Sequence, residues 1–141
     1  MILDKIVARK KASAHGTDAI LLIAAILSQA QISEYQEMAQ ELGMDSLVEI
    51  HDEDELEKAL AAEAGLIGIN NRNLKDFSVD ITTTLRLKRL IPEAIPVVSE
   101  SGLTSGADLV LLRDHGICGA LIGESLMRAG HDSSMLVTLR S

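Results

Sequence analysis

Short apolar runs alternate with amphipathic segments along this chain, and a glycine usually separates the two. A glycine just past the end of a helix supplies the left-handed backbone that stops it, so each such glycine predicts a helix terminus leading into a strand. The glycines in this position are Gly16, Gly43, Gly65 and Gly116. The predicted strands cover residues 19–23, 46–50, 66–70, 95–99 and 120–122.

Helix-start signals fall between the predicted strands. Ser28 stands three residues before Gln31 in a capping-box pattern, and Asp52 stands in the same relation to Glu55. Further predicted N-caps are Asp80, Ser105 and Asp132. Because single helices separate nearly continuous apolar runs, the strands are predicted to be parallel, with right-handed crossovers. The fold class is therefore α/β.

Polar residues at the strand ends help to choose between two α/β architectures. Glu49, Asn70, Glu100 and Glu124 lie at the carboxyl ends of successive apolar strands, as on the active face of a (β/α)8 barrel. No Gly-x-Gly-x-x-Gly or Gly-x-x-x-x-Gly-Lys motif follows any strand, which weakens the alternative of a doubly wound nucleotide-binding sheet. The sequence favours a partial (β/α)8 TIM barrel of about five parallel strands, each followed by a helix.

Composition narrows the class of partner. The 141 residues are 47% hydrophobic and 24% charged, which is typical of a folded globular domain. A net charge of −8 and an aromatic content of 1% disfavour nucleic acid and anionic membrane surfaces as partners. The longest apolar run, residues 19–27, is about half of a membrane span. Because the single Cys118 fits a reducing compartment, a cytoplasmic location is expected.

Glu49 is the most informative single residue, because it interrupts an otherwise apolar strand. A buried carboxylate is costly unless it is paired or reaches a polar cavity. Two interpretations stay open: a core carboxylate satisfied by a neighbouring donor, or a general base with a raised pKa. His51 either shares the face of Glu49, if the strand continues, or begins the following loop.

Three loops offer further chemistry. The polar run from Asn70 to Asn73 is either an Asn-rich turn or a place where Arg72 clamps a substrate carboxylate. Glycine-containing loops near residues 101–102 and 123–124 close the last two strands, where barrels often bind phosphate through backbone N–H groups. The histidines lack the spacing of metal ligands, so neither a metal site nor a cofactor is expected.

Four motifs taken together resemble the indole-3-glycerol phosphate synthase family in order and spacing. They are LVEIHD at 47–52, LIGINNRNL at 66–74, VSESG at 98–102 and LIGESLMR at 121–128. By this resemblance they correspond to barrel strands five to eight, and residues 18–23 correspond to strand four. Residues 1–10 are similar to the helix that precedes the family's barrel. The expected organisation is an N-terminal helix over residues 1–12 and a truncated barrel domain over residues 13–141.

The resemblance implies a carbon–carbon lyase of tryptophan biosynthesis. This family closes the indole ring of 1-(2-carboxyphenylamino)-1-deoxyribulose 5-phosphate with loss of carbon dioxide. The resemblance implies that Glu49 is the catalytic base and that Asn70 and Glu100 belong to the catalytic centre. The substrate-binding residues that it implies are Leu22 and Phe77 as apolar walls, with Arg72 and Ser101. The implied phosphate-binding positions are Gly102, Gly123 and Glu124.

The chain departs from the family between its first helix and strand four, because strands one to three have no counterpart. The family carries two lysines on these strands, and this chain therefore lacks both. One serves as a general acid, and the other binds the carboxylate and phosphate region of the substrate. The first interpretation is an internally shortened synthase without activity on its own. The alternatives are a non-catalytic phosphate-ester-binding half-barrel and a subunit that needs a complementing chain. A homo-oligomer is also expected, because open parallel edges invite association.

Overall fold

The computed structural model describes residues 19–121 of the chain. Within that range, five strands alternate with four helices. The strands are β1 (Ala19–Ile23), β2 (Asp45–Ile50), β3 (Ile67–Asn70), β4 (Val97–Glu100) and β5 (Gly119–Leu121). The helices are α1 (Gln29–Glu41), α2 (Glu53–Ala61), α3 (Thr82–Lys88) and α4 (Gly106–Asp114). The alternation of apolar runs and capped amphipathic segments therefore predicted the element order correctly.

The five strands form one parallel sheet in the order β1-β2-β3-β4-β5. Sequential order with a helix in each connection is the arrangement of a (β/α)8 barrel, of which this open sheet represents a part. Among the described residues, β1 and β5 are the edges of the sheet. The predicted N-terminal helix, the last residue of the fifth predicted strand and the Asp132 cap lie outside these residues.

The helix starts follow the sequence signals with one exception. Ser28 and Gln31 form the complete capping box, and the Asp52 side chain accepts from the Glu55 N–H at 2.9 Å. The prediction for Asp80 is wrong, because the N-cap of α3 is Ile81. The Asp80 carboxylate instead accepts from the backbone and hydroxyl of Thr82, which is a local turn that competes with capping.

The strand boundaries differ most from prediction at β4, whereas the starts of β2, β3 and β5 differ by one residue each. β4 begins at Val97, two residues later than the apolar run suggested. The Ile95 N–H bonds to the Pro92 carbonyl in a turn, at 3.0 Å, and Pro96 has no N–H to give to a sheet. Residues 95 and 96 therefore belong to this turn and not to the strand.

The two faces of the sheet have different roles. The helix-facing layer is the hydrophobic core, and its strand residues include Ile20, Leu22, Val48, Ile50, Ile67, Ile69 and Val97, all 4% exposed or less. The opposite face, called the interior face here, carries the alternate residues. Register places one row across it: Ile23, Glu49, Gly68, Val98 and Gly119. No helix within residues 19–121 is long and apolar enough to cross a membrane.

Candidate active site

Three of the predicted catalytic residues converge at the carboxyl ends of β2, β3 and β4. Asn70 Nδ2 donates a hydrogen bond to Glu49 Oε1 at 2.9 Å. Glu49 and Glu100 are both buried, with 7% and 6% of their surface exposed. Asn70 is the register neighbour of Glu100 on β4. The parallel sheet thus assembles two carboxyl groups and one amide from separate segments of the chain.

Glu100 is electrostatically unusual. Burial, the negative charge of Glu49 and a hydrogen bond to the Glu49 carboxyl raise the pKa of Glu100 to about 8, although the positive charge of His51 acts in the opposite direction. Its Oε2 is buried without a hydrogen-bond partner among the described residues. At neutral pH the Glu100 carboxyl is therefore mostly protonated. The family resemblance placed Glu100 in the catalytic centre, but the sequence suggested a raised pKa only for Glu49, as one of two interpretations.

His51 begins the loop, one residue after the last residue of β2, which settles the question that the sequence left open. Glu55 Oε2 accepts from the His51 N–H at 2.9 Å, and Glu55 Oε1 lies 3.4 Å from His51 Nδ1. The hydrogen bond to Glu55 raises the pKa of His51 despite the opposing effect of burial, and the charges of Glu55, Glu49 and Glu100 add to it. Burial alone would raise the pKa of Glu55, but the hydrogen bonds from His51 lower it. An imidazolium is thus favoured beside the carboxyl pair.

A cleft of about 610 Å³ opens beside these residues, at the carboxyl ends of β2 and β3. Its charged lining comprises His51, Asp52, Glu55, Lys58, Arg72, Lys75, Asp80 and Arg86. The backbone N–H of Arg72 donates to Asn70 Oδ1 at 3.0 Å, so the same amide that holds Glu49 also holds the Arg72 backbone. Arg72 also bridges to Val79, which closes the intervening loop at its base. The predicted substrate-orienting arginine therefore lines the same cleft as Asn70 and His51, whereas Glu49 and Glu100 are not among its lining residues.

The two predicted apolar walls lie elsewhere. Leu22 is 4% exposed and belongs to the helix-facing core, so it is on the opposite face from Glu49. Its chain neighbour Ile23 is the register partner of Glu49 and lies on the interior face instead. Phe77 is 66% exposed on the loop after β3, in the left-handed backbone region, and is not among the cleft residues.

The Ser101 and Gly102 pair bends the chain sharply after β4. Both have positive φ, 69° and 76°. The Ser101 carbonyl accepts from Asn71 Nδ2 at 3.1 Å, and the Ser101 N–H donates to the Leu121 carbonyl at 3.4 Å. The other predicted phosphate-binding positions, Gly123 and Glu124, lie outside the described residues.

Asn71 is the organising residue that sequence reasoning missed. It is 3% exposed, and its Nδ2 donates to Ser99 Oγ at 2.9 Å. Its Oδ1 accepts from the Thr84 hydroxyl at 2.7 Å and the Thr84 N–H at 3.1 Å. The Asn71 N–H donates to the Glu100 carbonyl at 2.8 Å. This buried polar network, formed by Asn71, Thr84 and Ser99, fixes the ends of β3 and β4 against the start of α3. No local signal could reveal it, because its partners are distant in sequence.

Lys58 is a second residue that the sequence did not single out. Its Nζ donates to the carbonyls of Ala24 and Leu27, at 2.7 and 2.9 Å. The lysine on α2 therefore holds the loop between β1 and α1 from the side of the cleft. Within residues 19–121, no cluster of three or more His, Cys, Asp or Glu side chains has the arrangement of a metal site.

Comparison with known proteins places the site in a family context. The family model described as indole-3-glycerol phosphate synthase matches residues 2–139. A protein of that name from Desulfotalea psychrophila is 60% identical over 130 residues, which are 92% of this chain and 50% of the relative. Another, from Magnetococcus marinus, is 50% identical over 124 residues, covering 88% of this chain and 46% of the relative. The chain thus spans about half the length of the curated relatives it matches.

Solved structures support the fold independently of the sequence. A structure titled "Native KDPGal structure" has a TM-score of 0.58 at 23% identity and covers 85% of this chain and 54% of its own. The YdjI aldolase from Escherichia coli K12 also has a TM-score of 0.58, at 15% identity, over 92% of this chain and 58% of its own. At these identities the likeness concerns the fold alone.

Proposed function

Because the chain belongs to the indole-3-glycerol phosphate synthase family, we propose that it supplies the base-bearing part of the active site for decarboxylating indole ring closure. The observation that carries this proposal is the convergence of Glu49, Asn70 and Glu100 at one end of the sheet. The substrate is a phosphorylated aminodeoxyribulose that bears a carboxyphenyl group. Its closure to indole-3-glycerol phosphate releases carbon dioxide and water.

Glu49 serves as the base in this proposal. Ring closure requires a donor that protonates the departing oxygen and a base that removes a proton as the aromatic ring forms. The Asn70 amide holds one Glu49 oxygen at 2.9 Å, which orients the carboxylate toward the bound substrate. A positioned acid or base contributes about 10²–10⁴-fold to rate. Glu100 lies beside Glu49, and burial and the negative charge of Glu49 raise the pKa of Glu100 to about 8.

The loops around the carboxyl pair bind the rest of the substrate. Arg72, in the cleft beside Asn70, orients it through its guanidinium. The Ser101 N–H already donates to the Leu121 carbonyl, so the backbone N–H of Gly102 cradles the phosphate in this proposal, together with Gly123 and Glu124, and Ser101 contacts the substrate. Backbone donors allow a chain of net charge −8 to bind an anion without a basic patch.

The isolated chain lacks turnover in this proposal, because the family's two lysines belong to barrel strands without a counterpart here. Imprecise substrate placement adds to the loss of the acid. A complementing chain that pairs with the open edges β1 and β5 restores those strands. A phosphate-ester-binding half-barrel without turnover is the second candidate, and the bent Ser101 and Gly102 backbone favours it.

The test is indole fluorescence after addition of the substrate to the purified chain. The chain is assayed alone and after mixing with a fragment carrying the first three barrel strands of the Desulfotalea psychrophila relative. We expect turnover only in the mixture, and we expect Glu49→Gln to abolish it. The matched control is Glu93→Gln, which changes an exposed carboxylate and should leave turnover intact. Turnover by the lone chain that is lost in Glu49→Gln would refute the need for complementation.

If the mixture is also inactive, titration with glycerol phosphate distinguishes the two candidates. Saturable binding to the lone chain, weakened by added inorganic phosphate, would favour the phosphate-binding half-barrel. A chain without turnover in the mixture and without phosphate-ester binding would contradict both proposals.

A further inference from the structure

Gly68 occupies the centre of the interior face, between the two carboxyl groups of the site. Glu49 on β2 is its register partner on one side, and Val98 on β4 is its partner on the other. A Cβ atom at position 68 would lie 2.7 Å from Glu100 Oε2 and 3.1 Å from Glu100 Cδ. The Glu100 carboxyl therefore crosses β3 above the one residue of that strand that has no side chain.

The backbone does not explain why this residue is glycine. Gly68 lies inside a strand that is paired on both sides, and it is not among the glycines with positive φ. A glycine inside a regular strand is destabilising by roughly 0.5–1 kcal/mol relative to alanine. What a glycine provides at this position is therefore the space that a side chain would take up, and the Glu100 carboxyl occupies that space.

We propose that Gly68 is a positioning residue, which provides the gap on the interior face through which the Glu100 carboxyl reaches Glu49. Asn70 anchors the Glu49 carboxylate, so Glu100 is the mobile member of the pair. Glu100 Oε2 has no hydrogen-bond partner within residues 19–121, so no described donor holds it against displacement. The importance of this gap for ring closure rests on the function proposed above, whereas the geometry stands without it.

An alanine at position 68 should move a side chain and leave the fold in place. The closest atom to its Cβ is the far end of the flexible Glu100 side chain. The next neighbour, Leu47 Cδ1 at 3.2 Å, is also a side-chain terminus. Gly68→Ala therefore displaces the Glu100 carboxyl away from Glu49 and toward the open side of the interior face. Both the repulsion by Glu49 and the burial of Glu100 are relieved.

The experiment is a ¹³C NMR titration of labelled glutamate carboxyls in the full chain, with urea unfolding measured in parallel. The Glu100 signal is assigned by its loss in Glu100→Gln. In Gly68→Ala we expect the Glu100 titration midpoint to fall by at least one pH unit, with the urea midpoint unchanged or raised. The control is Gly119→Ala on the same face, where the new Cβ would make an ordinary contact with Val98 at 3.7 Å. An unchanged Glu100 midpoint in Gly68→Ala, or an equal shift in the control, would overturn the proposal.

A second comparison covers the case in which Gly68→Ala fails to fold. In a Glu100→Ala background the clash partner is gone, so adding Gly68→Ala should leave the urea midpoint unchanged or raise it. If the double variant does not fold, the steric clash at position 68 involves atoms other than those of Glu100, and the proposal is refuted. A further check is Glu100→Asp, whose side chain is one methylene shorter and should not meet a Cβ at position 68. With aspartate at position 100, we expect the same carboxyl titration midpoint whether residue 68 is glycine or alanine. Because none of these readouts needs turnover, their failure is distinguishable from failure of the ring-closing function.

Discussion

Replacing Glu100 with glutamine should remove a pH dependence from the stability of this protein. The pKa of Glu100 is about 8 in the folded chain, against an ordinary value of 4.5. Between these values the folded state holds a proton that the unfolded state has released. The resulting stabilisation is fully present below pH 4.5 and is lost as the pH rises through about 8.

The size of the effect follows from proton linkage. One extra proton in the folded state gives a slope of at most about 1.4 kcal/mol per pH unit. Because the pKa of Glu100 depends on the close charge of Glu49, which can reorient as Glu100 titrates, the full linkage value is an upper limit. We expect Glu100→Gln to match the wild type near pH 5 and to exceed it by roughly 1–3 kcal/mol at pH 8.

The assay is urea unfolding of both proteins at pH 5, 6, 7 and 8, followed by circular dichroism. His51 also has a raised pKa, but the largest cause is its hydrogen bond to Glu55, which both proteins keep, so most of the His51 contribution cancels in the difference between them. Glu93→Gln, an exposed substitution, controls for removal of a carboxylate in general. If Glu100→Gln keeps the wild-type dependence on pH, the pKa of Glu100 is not raised in the folded chain, which would refute the reasoning above.

Three further substitutions test the supporting structure by their urea midpoints. Lys58→Met should cost about 1–3 kcal/mol, because two loop carbonyls lose a charged donor, and an unchanged midpoint would refute that anchoring role. Thr84→Val should cost a similar amount, about 1–3 kcal/mol, by leaving Asn71 under-satisfied, whereas a neutral effect would mean that the buried network is dispensable. Gly102→Ala should destabilise the chain, because its φ of 76° is unfavourable for a side chain and a Cβ would collide with Val79; equal stability would contradict this geometry.

The strands and helix starts were predictable because their signals are local. Each apolar run largely coincides with the strand that it predicts. The capping box of Ser28 and the N-cap Ser105 lie directly before the helices that they start. Asp80 is instructive, because its residue type is right and its position is wrong by one. An aspartate can bond to the backbone two residues on as readily as it caps a helix, and sequence does not decide between these alternatives.

The candidate site was predictable only in part. The position of Glu49 and Glu100 at strand ends follows from the apolar pattern, but the face of Leu22 does not. Residues 19–27 are apolar throughout, so the run gives no alternation from which to read a face, and only the register with β2 assigns one. Asn71 contacts residues 13 and 28 positions away, which no local pattern encodes. The gap above Gly68 likewise exists only when three strands lie side by side.

The position of the polar groups within the sheet bears on how a divided enzyme can be reassembled. Glu49, Asn70 and Glu100 belong to the three central strands, and the Asn71, Thr84 and Ser99 network locks two of those strands to α3. None of these groups belongs to β1 or β5, the edges of the sheet within residues 19–121. A chain that docks along β1 or β5 therefore adds its residues around a constellation that is already built, and the precision of the carboxyl pair does not depend on the precision of docking. For the design of split barrels, this favours cutting the chain so that each fragment keeps its reacting groups on interior strands.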